Sequence, residues 1–233
     1  MELLPGVHRI SGTVSNAYLL IDAHDEITVI DVGLGAFERT ILHYLRTIGQ
    51  RPENIRRIIL THRHLDHIGG AAALRTISQA GVWAHPLDVP YIEGRERDPL
   101  PSGVLGMLIG TALTAFFRAK PCPVDEELVD GQNIDVGTLG PLQIIHTPGH
   151  THGHCALLLP SRSLFILGDA LNNARGSPQV PFNAVNDDPQ QARNTAIAMA
   201  DMSVDNLVFG HGKPILGAGR QALRAAAKKA AHD

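Results

Sequence analysis

The chain has 233 residues, 44% of them hydrophobic and 18% charged, with a formal net charge of -3. This composition excludes a disordered tail, a collagen and a coiled coil. Twenty Lys+Arg against 23 Asp+Glu give no basic balance that would make nucleic acid the main partner.

In chain order, short β-branched runs predict strands over 18–21, 27–30, 57–60 and 81–84 in the first half. The second half repeats the signal over 142–145, 156–159, 164–167 and 207–209. Helices are expected over 37–48, where apolar residues at 37, 41, 42, 45 and 48 form one face, and over 71–80. Two more are expected over 189–202, with Asp188 as N-cap and Pro189 at the first helical position, and over 221–231. The tetrapeptide Ile-Asp-Val-Gly occurs at 30–33 and again at 134–137, a weak hint of two related halves. The segment 87–123 is rich in Pro and Gly and reads as an insertion between the halves. Its apolar part, 104–117, is expected to form a short helix covering the active-site cleft. A packed core helix or a dimer contact is the alternative.

The 104–117 stretch is too short to span a bilayer, and the N-terminus lacks a signal-peptide pattern, so no membrane is expected. Two cysteines, Cys122 and Cys155, cannot build a disulfide framework and suit a reducing, cytoplasmic compartment. Thirteen histidines are the unusual count.

Seven residues form a candidate metal constellation. The strand expected over 57–60 runs into Thr61-His62-Arg63-His64-Leu65-Asp66-His67, a cluster of ligand types read as a loop at a strand exit. The carboxyl ends of strands are where an α/β sheet places its site. His150 follows Thr147-Pro148-Gly149, Asp169 follows Gly168, and His211 sits between Gly210 and Gly212, each after another expected strand. A single zinc takes about four ligands, so seven suit two ions sharing a carboxylate. Imidazole and carboxylate without thiolate suit zinc, iron or manganese.

These motifs resemble the metallo-β-lactamase-fold metallohydrolase superfamily. The resemblance rests on T-H-x-H-x-D-H at 61–67, Gly69-Gly70, T-P-G-H-T at 147–151, G-D at 168–169, G-H-G at 210–212 and Asp31-Val32-Gly33. It implies one α/β domain over residues 1–233, an αββα four-layer sandwich. It also implies that His62, His64 and His150 hold one ion, that Asp66, His67 and His211 hold the second, and that Asp169 bridges them.

Departures narrow the reading. True β-lactamases of this fold have Cys or Ser at the position of Asp169. Glyoxalase II enzymes share the seven ligands but add a glutathione-binding helical domain, and only 22 residues follow His211 here. Acyl-homoserine lactonases place Tyr where Asn172 stands, and persulfide dioxygenases carry a different stretch after the bridging Asp. Flavodiiron oxygen reductases have Glu in place of His64, and ribonucleases of the fold carry an RNA-gripping arm.

The function implied is a dinuclear hydrolase, with zinc favoured, that uses a metal-bridging hydroxide on a small ester, thioester or lactone. Asp66 is a candidate to receive and pass on the proton. A mononuclear iron dioxygenase for a sulfur substrate, a phosphodiesterase or nuclease, and a non-enzymatic metal-binding protein are the rival classes. Asp31, His152, Asn172 and Asn173 are candidates to support the ligands or contact substrate. A turn role for Asp31, Thr61 and Thr147 competes with that, and His154 reads as structural. The expected partner is a small molecule, with a homodimer left open.

Overall fold

The computed structural model describes residues 1–98 and 119–232. The first sheet takes its strands in chain order: β1 (Glu2–Leu4), β2 (Val7–Ser11), β3 (Asn16–Ile21), β4 (Ile27–Ile30), β5 (Ile55–Ile59), β6 (Gly81–Ala84) and β7 (Glu126–Glu127). It is antiparallel up to β4 and parallel from β4 to β7. Helices α1 (Glu38–Thr47), α2 (Leu65–Ile68), α3 (Ala71–Ser78) and α4 (Val89–Ile92) fall between its later strands. The second sheet runs in the order β12 (Asn206–Val208), β11 (Leu164–Ile166), β10 (Cys155–Leu159), β9 (Pro141–His146) and β8 (Asn133–Asp135). Only its β11–β12 pair is parallel. Helix α5 (Pro189–Ala198) precedes β12, and α6 (Gly219–Ala230) follows it.

The period of two along each strand splits the apolar residues into separate cores. Leu19, Val29, Ile58 and Val82 leave the first sheet on one face to meet Ile41, Leu45 and Leu74 of α1 and α3. Tyr18, Leu20, Ile30 and Ile59 leave it on the other to meet Ile144, Leu157, Ile166 and Val208 of the second sheet. The far face of the second sheet sends Ala156, Phe165 and Leu207 against Ala196 of α5 and Leu223 and Ala226 of α6. The result is the helix–sheet–sheet–helix order expected from the sequence. It explains why the central strands read as continuous apolar runs, since both of their faces are covered.

Several boundaries differ from expectation. Strands β1, β2, β7 and β8 are short or only partly buried and left no run to detect. The helix expected over 189–202 ends at Ala198 and tightens into a 3-10 turn over Met199–Asp201. The segment 87–123 does not divide the two halves. Strand β7 follows it and pairs with β6, so it interrupts the first sheet, and Val89, Ile92 and Cys122 join that sheet's outer core. The part 99–118, with the expected helix over 104–117, lies outside the described residues. The repeated tetrapeptide marks no equivalence of role: Asp31 is buried at a strand exit, whereas Asp135 is exposed. Among the described residues no helix is long and apolar enough to cross a membrane.

Candidate metal centre

Strand β5 ends at Ile59 and delivers Thr61, His62, Arg63 and His64 before the single helical turn of α2, which His64 caps in extended backbone. The expected loop is replaced here by helix: Asp66 and His67 stand on that turn. His64 at its cap and His67 inside it thereby reach the same space. His150 follows β9, Asp169 follows β11 and His211 follows β12. All seven expected ligands thus leave strand ends on the side where the two sheets meet.

Their donor atoms converge in three overlapping groups: His62, His64 and His150; His62, His67 and Asp169; and Asp66, His67 and His211. Within each group the donor atoms lie within 4.8 Å of one another. His64 Nδ1 and His150 Nε2 are 2.9 Å apart. Asp169 Oδ2 lies 3.5 Å from His150 Nε2 and 3.1 Å from His211 Nε2, while its Oδ1 lies 3.6 Å from His67 Nε2. Asp66 Oδ2 is 3.2 Å from His211 Nε2.

Whether a metal fits this set can be tested on its orphaned atoms. His62 Nε2, His67 Nε2 and Asp169 Oδ1 are buried without a hydrogen-bond partner among the described residues. Burying a polar atom without a partner costs about 1–3 kcal/mol. Three such atoms facing one another fit cations as their missing partners.

The outer nitrogens are already committed, which sets each tautomer. His67 Nδ1 donates to Asp31 Oδ2 at 2.8 Å, and His150 Nδ1 donates to Asn186 Oδ1 at 2.9 Å. His211 Nδ1 donates to the Val14 carbonyl at 2.9 Å. Thr61 Oγ1 donates to Asp31 and so accepts from His62 Nδ1 at 3.0 Å. Each of these imidazoles therefore turns its Nε2 toward the centre. Asp31, at φ 59°, holds left-handed backbone and accepts from Thr61 N as well. Gly210 permits close approach: a Cβ there would lie 2.1 Å from Asp169 Oδ1 and 2.6 Å from His67 Cε1.

The other expected supporting residues divide. Asn173 donates its backbone N to the His211 carbonyl and its side-chain amide to the Lys213 carbonyl. Asn172 pairs through its backbone with Gln179. The His152 side chain is 65% exposed and lies 4.0 Å from Asp187, outside the converging groups. His154, read as structural, is wholly buried; it accepts from Asp169 N at 2.9 Å and donates to Thr147 Oγ1 at 2.7 Å. Sequence reasoning also passed over Tyr18 and Asn16, whose side chains grip the Phe209 carbonyl just before Gly210-His211. The signal available for His154 was its even spacing from His150. Nothing in the local sequence of β3 marks Asn16 or Tyr18.

In the metal-free chain the two sides of the centre differ in charge. Burial drives His62 far down and holds His64 and His150 at about 4. Burial also opposes charge on His67, but Asp31, Asp66 and Asp169 outweigh it and push the imidazole up to about 9. His211 is pushed up to about 11, because Asp169 and Asp66 outweigh its burial. A metal entering beside His67 and His211 must therefore displace protons. Zinc affinity at the Asp66, His67 and His211 group is expected to rise with pH by about tenfold per unit for each displaced proton. Affinity at the His62, His64 and His150 group should be nearly flat above pH 6. Competition with a chelator at pH 6, 7 and 8 checks this, and two pH-independent affinities would refute it.

The model of the metallo-beta-lactamase superfamily matches residues 10–211. The chain belongs to that superfamily. YflN of Bacillus subtilis, described as a probable metallo-hydrolase, is 25% identical over 235 residues, covering 93% of this chain and 87% of that one. A hydroxyacylglutathione hydrolase of Cereibacter sphaeroides is 30% identical over 156 residues, but that match spans only 47% of its length. The superfamily membership is thus broad, and the likeness to the glyoxalase II type is confined to part of that enzyme. The solved structure of TTHA1623 in a di-iron-bound form matches with a TM-score of 0.69 and 25% identity, covering 93% of this chain and 96% of that one. Membership and the convergent donors make this chain a metal-dependent hydrolase.

Proposed function

We propose that two divalent ions, zinc in the first instance, occupy this centre and that the enzyme hydrolyses a small ester, thioester or lactone. The observation that carries the reading is the convergence of seven donors, three of them orphaned, into overlapping groups that share His62 and His67. The di-iron form of TTHA1623 supports two ions and keeps iron as an alternative metal. In this reading His62, His64 and His150 hold one ion, Asp66, His67 and His211 hold the other, and Asp169 lies between them.

When bound, such ions ionise water near neutral pH and neutralise charge developing on a substrate oxygen. The chain's own residues do the rest. Asp31, Asn186 and Val14 keep three imidazoles in the ligating tautomer. Asp169 is 7% exposed, whereas the side chains of Asp66, His211 and His64 are 25%, 22% and 22% exposed. The centre is therefore open on that side, and substrate approaches there. In this reading Asp66 takes the proton from the attacking water and returns it to the leaving group. The two buried free thiols fit a reducing, cytoplasmic setting.

The test is a panel of an ester, a thioester, a lactone and a phosphodiester, run under nitrogen and in air. Hydrolysis of one of the first three is expected, abolished by chelation and restored by added metal in both atmospheres. Product formed only with matching oxygen consumption would establish the iron dioxygenase reading instead. Turnover of the phosphodiester alone would establish the nuclease class.

A further inference from the structure

Arg63 stands between the ligands His62 and His64, yet it belongs to none of the converging groups. Its side chain is 2% exposed. The guanidinium donates to Asp187 through two parallel bonds of 2.9 and 2.7 Å, to Asp88 Oδ1 at 3.2 Å, and through Nε to Asp98. The Tyr91 ring covers one face, 4.3 Å from the guanidinium carbon. A cation this dry is held only because it is paired and hydrogen-bonded on every side.

Its partners reach the opposite ligand loop. Asp88 accepts from Arg63 N at 3.0 Å, from Thr151 Oγ1 at 2.7 Å and from Gly153 N at 3.1 Å. Asp187 accepts from His152 N at 2.9 Å, and its own N donates to the His150 carbonyl at 3.1 Å. One guanidinium thus joins the segment carrying His62 and His64 to the segment carrying His150. The third carboxylate, Asp98, lies 3.9 Å from His64 Nε2, the nitrogen remote from the centre. Of the five ligand imidazoles, His64 is the one whose outer nitrogen makes no hydrogen bond among the described residues, and Asp98 is the carboxylate beside it.

We propose that Arg63, with Asp88, Asp98 and Asp187, is the positioning device of the His62, His64 and His150 metal position. Asp88 and Asp187 set the distance between the two ligand loops, and Asp98 steadies His64. This rests on the two-metal reading above. A fork with four directed donors does this, whereas a lysine would supply charge without direction.

The test is cobalt(II) titration of the metal-free protein followed by its visible absorption. His150→Ala identifies the binding phase of the first position and Asp66→Ala that of the second. Arg63→Met is expected to weaken the first phase about 10- to 100-fold, the range for removing a partner behind a ligand. The second phase should stay within about threefold, and Arg63→Lys should not restore the first. Equal weakening of both phases would make Arg63 a merely structural residue, and two unchanged phases would remove its role altogether. If Arg63→Met does not fold, Asp187→Asn and Asp98→Asn carry the same comparison. A wild-type chain that binds no cobalt would overturn the two-metal reading and this proposal with it, whereas wild-type binding with unaltered variants overturns this proposal alone.

Discussion

Asp169→Ala should lose at least about 100-fold in hydrolytic rate and retain at most one ion per chain, the upper range for a partner at a metal site. Among the described residues Asp169 is the carboxylate that faces imidazoles of both ligand groups, His150 on one side and His67 and His211 on the other. In the proposed two-metal reading, removing it takes away one donor from each side and a negative charge that would offset two cations. The metal-free chain loses as well. His211 is charged at neutral pH because Asp169 and Asp66 outweigh its burial, and the variant leaves it with Asp66 alone. Elemental analysis after reconstitution with excess metal, together with the rate on the best substrate, decides the matter. Two ions and near-normal turnover would refute the bridging role.

Asp31→Ala should separate from Asp31→Asn, and the separation is the informative result. Asp31 is 3% exposed and accepts from Thr61 N, Thr61 Oγ1 and His67 Nδ1. Alanine orphans all three donors, at about 1–3 kcal/mol each, and places a residue without a local acceptor in left-handed backbone. A fall in stability of about 3–5 kcal/mol is expected for it. Asparagine tolerates the left-handed φ and keeps one acceptor oxygen for Thr61, so most of that stability should return. Thr61 N gives to Oδ1, whereas Thr61 Oγ1 and His67 Nδ1 both give to Oδ2. An amide that keeps its oxygen for Thr61 N turns its NH2 toward His67 Nδ1, so His67 loses its enforced tautomer. Metal affinity in Asp31→Asn should therefore remain about 10- to 100-fold weakened while the melting temperature recovers. Parallel recovery of both would show that Asp31 only shapes the turn.

The ligand set was legible because chemistry confines those residues to strand exits, where Gly-flanked His and Asp stand out against apolar runs. The layers were legible for a related reason: a strand covered on both faces, such as β10, has no polar alternation to confuse the pattern. The supporting residues were harder. His154 enters β10 and looks like any core histidine until its Nε2 is seen to meet Asp169 N. Arg63 looks like a spacer between two ligands, because its partners at 88, 98 and 187 are brought to it only by the fold. The turn of α2 is a single turn long and carries no periodicity, so His67 and Asp66 read as loop residues.

The ligands come from four stretches of chain, one leaving the first sheet and three leaving the second. Ions that bind only the folded chain act on it as a removable staple. They raise its stability by about 4 kcal/mol when free metal exceeds the dissociation constant a thousandfold. The lifetime of this protein against proteolysis would then follow the metal supply of its surroundings, with starved molecules opening and being degraded ahead of loaded ones.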